Sequence, residues 1–517
     1  MNAVRLRLFA GAFFGGTRMK RTPFPVSDPE SVGIRSRDIL DYLDALESSD
    51  TEMHGLMIMR HGTICCQGWW APYAPGLRHG LQSHTKTYAA TAVGIACREG
   101  LLSLDEPVLD IFPEYAPASP NNMLKRLKVR HVLCMGCGMD TMPSPTKDWI
   151  RDFLHTPVVH EPGTTYMYNS FGSTLLGAMV RQRSGLGLHD YLKPRLFDKI
   201  GIDSDNLRWI RLPDGIEVGG GGLFATTEDN LRLMKLYLNG GLWDGERILS
   251  AEYVRLATTN QNDSATEARN NPLATDNFLG YGFQIWMCKP AGAYRADGAM
   301  GQFTIVLPNQ DMIIAINETA SGAGPAQHTL DLTWEFVRRV DSDSPLPADP
   351  VCAAKLRQRL KRLNIGNPEA APLSPYAGEV SGRCYKVISG GFGPFGGNFM
   401  SGELPDPVDS FQLDFDGDGC CWSFITKSGK AESVRVGLRG ERCTNLIGDP
   451  NDPTRLYLCS GIWTGDREFR MACRFAESCV EDQYTFRFDA DCVHILAKNN
   501  SAFQGPEPLC IEAIQIK

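Results

Sequence analysis

Ser83 and Lys86 stand three residues apart in Leu81-Gln82-Ser83-His84-Thr85-Lys86, just ahead of the small-residue, apolar run TYAATAVGIACREG. In a helix this spacing puts hydroxyl and ammonium on one face, a turn apart. The N-terminus of such a helix offers free backbone N–H groups and a partial positive field, which favour an alkoxide or a developing oxyanion. A lysine packed there loses hydration, so its pKa falls and it can accept the serine's proton. The bland alternative is a helix-start serine with an incidental lysine. A second Ser-x-x-Lys, Ser144-Pro145-Thr146-Lys147, lies in a proline-flanked loop with no apolar helix behind it. The spacing alone therefore decides little, and context favours Ser83.

A second element has matching chemistry. In EPGTTYMYNSFGSTLLGAMV, Tyr168-Asn169-Ser170 lies between a Pro-Gly turn and a helix. A tyrosine close to an ammonium can have a lowered pKa and share in proton transfer. Taken alone, a tyrosine before a helix is an ordinary packing aromatic.

The elements that must position these groups follow from the pattern. LMIMR, a turn at His61-Gly62 and TICCQGWW read as a hairpin over residues 54–70. A helix is expected from Ser83 to about Arg98, ending near Gly100. Further helices are SFGSTLLGAMVRQRSG and TEDNLRLMKLYLNGG. The β pattern returns near residue 300 as QFTIVLP, a turn at Asn309-Gln310 and DMIIAIN, and AQHTLDLTWEFVRRV closes the region as a helix. Strands at both ends with helices between them imply an α/β sandwich whose sheet is assembled from its two termini. DSDSPLPADP reads as a linker. From Pro372 the texture becomes alternating apolar and polar residues between Asp/Gly turns, which suggests a small antiparallel β-barrel. The expected organisation is an N-terminal extension 1–23, a first domain 24–340, a linker 341–371 and a C-terminal β-domain 372–517.

Composition narrows the partners. The 517 residues are 43% hydrophobic and 22% charged, with a net charge of −8 and no basic patch, which argues against nucleic acid. No stretch has the length of a membrane-spanning helix. Sixteen cysteines sit in apolar contexts such as GTICCQGWW and RMACRF, and suit buried free thiols in a reducing cytoplasm. Cys134 and Cys137 have CxxC spacing but lack a second ligand pair, so no zinc is expected. Asp414, Asp416 and Asp418 begin like a calcium loop, but Ile425 stands where its closing acid should be, and a hairpin turn is the better reading. Two arginines and the apolar run Leu8 to Gly16 outline a weak leader, so secretion is the alternative if residues 1–18 act as a signal peptide. No Gly-x-Ser-x-Gly and no His-Glu-x-x-His occur.

Together the pieces resemble the penicillin-recognising serine hydrolases, in the branch of class C β-lactamases, D-aminopeptidases and related esterases. The resemblance spans Phe24 to Val340. It rests on GWWAPY, SHTK with AVGIACREGLLSLDEPV, LKVRHVLCMGCGM, PGTTYMYNSFGSTLLG, GGGGLFATTED, GYGFQIW and ADGAMGQFTIVLPNQD, in this order. It implies a β-lactamase/transpeptidase-like αβ sandwich, and the C-terminal domain loosely resembles the lipocalin-like barrels of some members, which cap the cleft or support a homodimer. By position it implies Ser83 as the acylated nucleophile and Lys86 with Tyr168 as the proton-transfer pair. The backbone N–H groups of Ser83 and Ala299 would form the oxyanion hole. The family's Tyr-x-Asn becomes Tyr168-Asn169-Ser170, with a hydroxyl in place of the amide. The third motif, Lys-Thr-Gly or His-x-Gly, becomes Ala296-Asp297-Gly298 and lacks the cation that meets a substrate carboxylate, a role left to Arg295. Ser170, Arg295, Asp297 and Gly298 are thus the implied substrate-binding set.

The expected activity is hydrolysis of a small ester, amide or peptide through an acyl-serine, without metal or cofactor. Acyl transfer to an amine or alcohol is open, and β-lactamase activity is disfavoured by the missing Lys-Thr pair. The rival from another class is a degenerate hydrolase domain that binds or senses a ligand.

Overall fold

The computed structural model describes residues 21–143, 148–340, 342–393, 406–447, 456–500 and 507–516. The leader outline and the second Ser-x-x-Lys at Ser144–Lys147 lie outside the described residues. Arg21 belongs to the fold, since its guanidinium pairs with Glu228 and Asp229 at 3.0 and 3.2 Å.

The first domain is organised by one antiparallel sheet. Helix α1 (Ser36–Glu47) leads into the hairpin β1 (Thr51–Arg60) and β2 (Thr63–Trp69), which turns at His61 and Gly62, both at positive φ. A long helical insertion follows, containing α2 (Thr85–Arg98), α3 (Ser170–Ser184) and α4 (Thr227–Leu238). The chain then returns through β3 (Trp286–Met287), β4 (Tyr294–Gly298), β5 (Gln302–Leu307) and β6 (Met312–Ala320), before α5 (Ala323–Val337). The spatial order β2-β1-β6-β5-β4-β3 places the N-terminal hairpin against the last strand of the domain, as expected of a sheet built from both termini.

Strand alternation explains why both faces are covered. Along β1, Met57 and Met59 join the core made with α2, α3 and α4, whereas Leu56 and Ile58 join the core made with α1 and α5. A strand buried on both faces reads as a continuous apolar run, and LMIM does so. Within 341–371, α6 (Pro350–Leu360) packs on the second of these cores through buried Leu356.

The C-terminal strands are β7 (Cys384–Ser389), β8 (Val408–Phe415), β9 (Gly419–Thr426), β10 (Ala431–Gly437), β11 (Cys443–Leu446), β12 (Leu456–Gly465), β13 (Glu468–Phe475), β14 (Glu481–Asp489), β15 (Cys492–Asn499) and β16 (Leu509–Ile516). Nine of them close a ring in the order β10-β9-β8-β7-β16-β15-β14-β13-β12. Every neighbouring pair is antiparallel except the closure, a single parallel bridge between Gly437 and Ser460, so the barrel is mixed. Alternation sends Tyr484, Phe486 and Phe488 inward, where their rings pack at a tilt against Trp422, Phe411 and Tyr385. At the β8–β9 turn, Asp416 Oδ1 accepts from the N–H groups of Asp418 and Gly419 at 3.1 and 2.8 Å, and its carboxylate pairs with Arg435. This is a capped hairpin turn.

All sixteen cysteines are free thiols, with Cys65, Cys66, Cys134 and Cys137 buried. Among the described residues no cluster of His, Cys, Asp and Glu could hold a metal ion, and no helix is long and apolar enough to cross a membrane.

Candidate active site

The run of small residues after Ser83 has a packing cause. Helix α2 passes through the middle of the insertion, and Thr85 to Ala96 are all buried. Its small residues allow close approach, and a Cβ on Gly94 would lie 2.5 Å from the Tyr253 ring. The α-helix starts at Thr85, and Ser83 sits in the preceding 3-10 turn, Gln82–His84, rather than at the helix cap. Lys86 is 1% exposed, so its ammonium is held inside the protein. Its Nζ donates to Ser83 Oγ at 2.8 Å and to the Gly220 carbonyl at 2.5 Å. Burial brings the Lys86 pKa down to about 7, against a smaller upward pull from Asp297. An amine that can shed its proton near neutrality, in contact with a serine hydroxyl, is the chemistry of a base beside a nucleophile.

Tyr168 closes the other side. Lys86 Nζ lies 4.8 Å from its ring centroid, and Ser83 is the side-chain hydrogen-bond partner that favours ionisation of its phenol. Burial outweighs that partner and pushes the phenol pKa up, so Tyr168 is a proton donor at neutral pH. The ring stacks on Trp286 at 5.7 Å and meets Tyr281 edge-on. Asn169 is fully buried and is not among the residues that line the cleft. Its side chain accepts from Gly172 N–H at 3.0 Å as the N-cap of α3. Ser170 lines the cleft, yet the second acceptor for Lys86 is Gly220. The glycine run GGGGLF thus supplies a carbonyl. A Cβ on Gly220 would lie 2.5 Å from the Ser170 carbonyl oxygen, so only glycine lets this loop reach the lysine.

The third motif occupies the end of β4. A Cβ on Gly298 would lie 2.1 Å from Leu81 O and 3.1 Å from His84 N, so the strand end abuts the turn that carries Ser83. Ala299 follows and lines the same cleft of about 520 Å³. Arg295 departs from its expected part. It is fully buried, and Nε donates to Asp297 at 2.7 Å, Nη1 to the Met287 carbonyl at 3.0 Å and Nη2 to Asn277 at 2.5 Å. Its charge is met by Asp297 and it is no free partner for a substrate carboxylate. Burial raises the Asp297 pKa, with Arg295 opposing that rise.

Three further features of the site were not legible in the motifs. Gln82, next to Ser83, holds a left-handed φ of 51° and has a buried Oε1 with no hydrogen-bond partner. Glu267, from an unremarked stretch of sequence, lines the cleft and is 4% exposed. The β13–β14 hairpin of the barrel also reaches the site's outer side. Glu477 O accepts from Gly80 N–H at 2.8 Å, Cys479 O accepts from Thr319 at 3.0 Å, and the Cys479 thiol touches both Gln82 Nε2 and Met300 Sδ at 3.6 Å. Long-range contacts of this kind leave no local signal, apart from a hairpin rich in small polar residues.

Residues 43–336 match the family model described as Beta-lactamase. A protein of Escherichia coli (strain K12) named as a D-alanyl-D-alanine carboxypeptidase is 24% identical over 250 residues, covering 37% of this chain and 57% of its own length. The 6-aminohexanoate-dimer hydrolase of Paenarthrobacter ureafaciens is 25% identical over 300 residues, covering 53% of this chain and 74% of its own. A solved structure from Bacillus anthracis, named as a 6-aminohexanoate-dimer hydrolase, aligns with a TM-score of 0.49 at 18% identity, covering 64% of this chain and 90% of that one.

Proposed function

Since the chain belongs to the beta-lactamase family of serine hydrolases, we propose that it hydrolyses a small ester or amide through an acyl-enzyme on Ser83. The observation that carries this reading is the 2.8 Å contact between Ser83 Oγ and a buried Lys86 whose pKa lies at about 7. In the free-base form Lys86 takes the Ser83 proton as Oγ attacks the substrate carbonyl. The backbone N–H groups of Ser83 and Ala299 receive the oxyanion. Lys86 and Tyr168, which flank the same hydroxyl, return the proton to the leaving alcohol or amine. The pair then activates the water that releases the acid. Esters are the first substrates to try, because a good leaving group tolerates an imperfect site. The named relatives, a carboxypeptidase and an amide-dimer hydrolase, make amides the next.

The test has two arms. Purified protein should hydrolyse p-nitrophenyl butyrate, and a fluorophosphonate should add to Ser83 as read by peptide mass spectrometry. Ser83→Ala should lose at least about 10³-fold in turnover, the scale of removing a nucleophile. Undiminished turnover by folded Ser83→Ala, or absence of the adduct, would sink the reading in favour of ligand binding without catalysis.

A further inference from the structure

A cleft selects charge by what its walls leave unbalanced. Among its described lining residues the charged groups are Glu267, Arg295 and Asp297, and Lys86 underlies Ser83. Arg295 and Asp297 neutralise one another at 2.7 Å. Glu267 differs from them. Its carboxylate accepts only from the neutral amides of Asn270 and Asn271, at 3.3 and 3.2 Å, and among the described residues no Lys, Arg or His pairs with it. It is close enough to raise the phenol pKa of both Tyr166 and Tyr168 electrostatically, so its field is felt at the reacting end of the cleft. A carboxylate that is 4% exposed and lacks a cation is costly unless something in the cleft compensates it.

Gln82 adds an independent observation. It is 5% exposed, lines the cleft beside Ser83, and leaves Oε1 without a donor while Nε2 rests on the Cys479 thiol. Most buried side-chain acceptors meet a donor, and this one meets none among the described residues. Both lacks are met by one kind of group, an N–H donor that carries positive charge. A carboxylate-bearing substrate would meet no free cation and would face Glu267.

We infer that the cleft takes substrates carrying a primary ammonium, with Glu267 as the residue that sets this preference and Gln82 Oε1 as a second acceptor. This rests on the hydrolase reading for its use in catalysis, but the binding preference can be measured without turnover. The ligands are two near-isosteric anilides, β-alanyl p-nitroanilide with a terminal ammonium and butyryl p-nitroanilide with a terminal methyl. Calorimetry on the full-length Ser83→Ala protein should show the ammonium ligand binding about tenfold more tightly, the equivalent of about 1.4 kcal/mol. Glu267→Gln in the same background should erase the difference, and its melting temperature reports whether it remains folded. Should that variant not fold, raising ionic strength from about 0.05 to 0.5 M should shrink the preference instead. Equal affinity for the two ligands, tighter binding of butyryl p-nitroanilide, or binding of neither overturns the inference. Failure of ester hydrolysis with the preference intact would instead remove the hydrolase reading and leave the ammonium site standing.

Discussion

In the barrel the largest fully buried side chains are aromatic, among them Trp422, Tyr385 and Tyr484. In the hydrolase domain the same depth holds Arg60, Arg232, Arg295 and Lys86. The barrel interior is filled by inward aromatic rings from successive strands packed against one another. The hydrolase interior spends stability on placing charge. Its three arginines each keep a carboxylate partner, Asp343, Glu228 and Asp297 respectively. Lys86 alone is bonded to a carbonyl and a hydroxyl, neither of which carries charge. Guanidinium is never deprotonated in practice and must be paired, whereas a buried ammonium can shed its proton instead. The difference separates the three paired arginines from the one buried cation that the proposed mechanism uses as a base.

The comparison can be broken at several points. Lys86→Met should lower kcat/KM by about 10³-fold, within the range for a lost general base, while costing no more than about 1 kcal/mol of stability near neutrality. The wild-type pH profile should rise through about 7, because the free base accumulates above that value. Linkage gives a second readout with a definite sign. The folded pKa of Lys86 lies below its ordinary value of 10.5, so the folded protein binds fewer protons between about 7 and 10.5. The stability difference, wild type minus Lys86→Met, should therefore grow with rising pH across that window. A flat difference would place the lysine in solvent.

Arg295→Met should behave in the opposite way. It strands Asp297 as a buried, unpaired carboxylate and should cost about 3–5 kcal/mol in denaturant unfolding. A cost as small as that of Lys86→Met would erase the distinction between the two cations. The domain interface lies between the extremes. Arg474 pairs with Glu52 of the hydrolase domain and with Glu481 of the barrel at 2.8 Å, and Arg474→Met should cost about 2 kcal/mol. The smallest effect belongs to the barrel core. Ile495→Val should cost about 1 kcal/mol with turnover unchanged, and a fall in turnover would show that barrel packing is transmitted to the site.

Much of this was legible because the signals are local. The β1–β2 hairpin, the helix after Ser83, the β5–β6 hairpin and the alternating strands of the C-terminal domain all follow from periodicities of two or 3.6 residues. The three-residue step from Ser83 to Lys86 already puts the two groups within reach. Other parts were hidden because they depend on residues far apart in the chain. The sequence suggests Arg295 as a cation for substrate, but whether a guanidinium is free depends on Asp297, Asn277 and the Met287 carbonyl around it. The Gly220 carbonyl carries no side-chain signature. Glu267 looks like any surface acid until the fold buries it. The hairpin at Glu477–Cys479 is an ordinary turn until it meets Gly80 and Gln82.

By itself, then, the sequence determined which segments are strands and helices, that a serine and a lysine stand three residues apart at the start of a helix, and that the chain falls into an α/β part and a β part. Those outcomes depend on backbone geometry and on neighbours a few residues away, and a single chain records both. Tertiary structure alone decided the lowered pKa of Lys86, the pairing of Arg295 with Asp297, the burial of Glu267 and the unpartnered Oε1 of Gln82. Each of these is a balance between lost hydration and the partners that replace water, and those partners arrive from positions tens to hundreds of residues away.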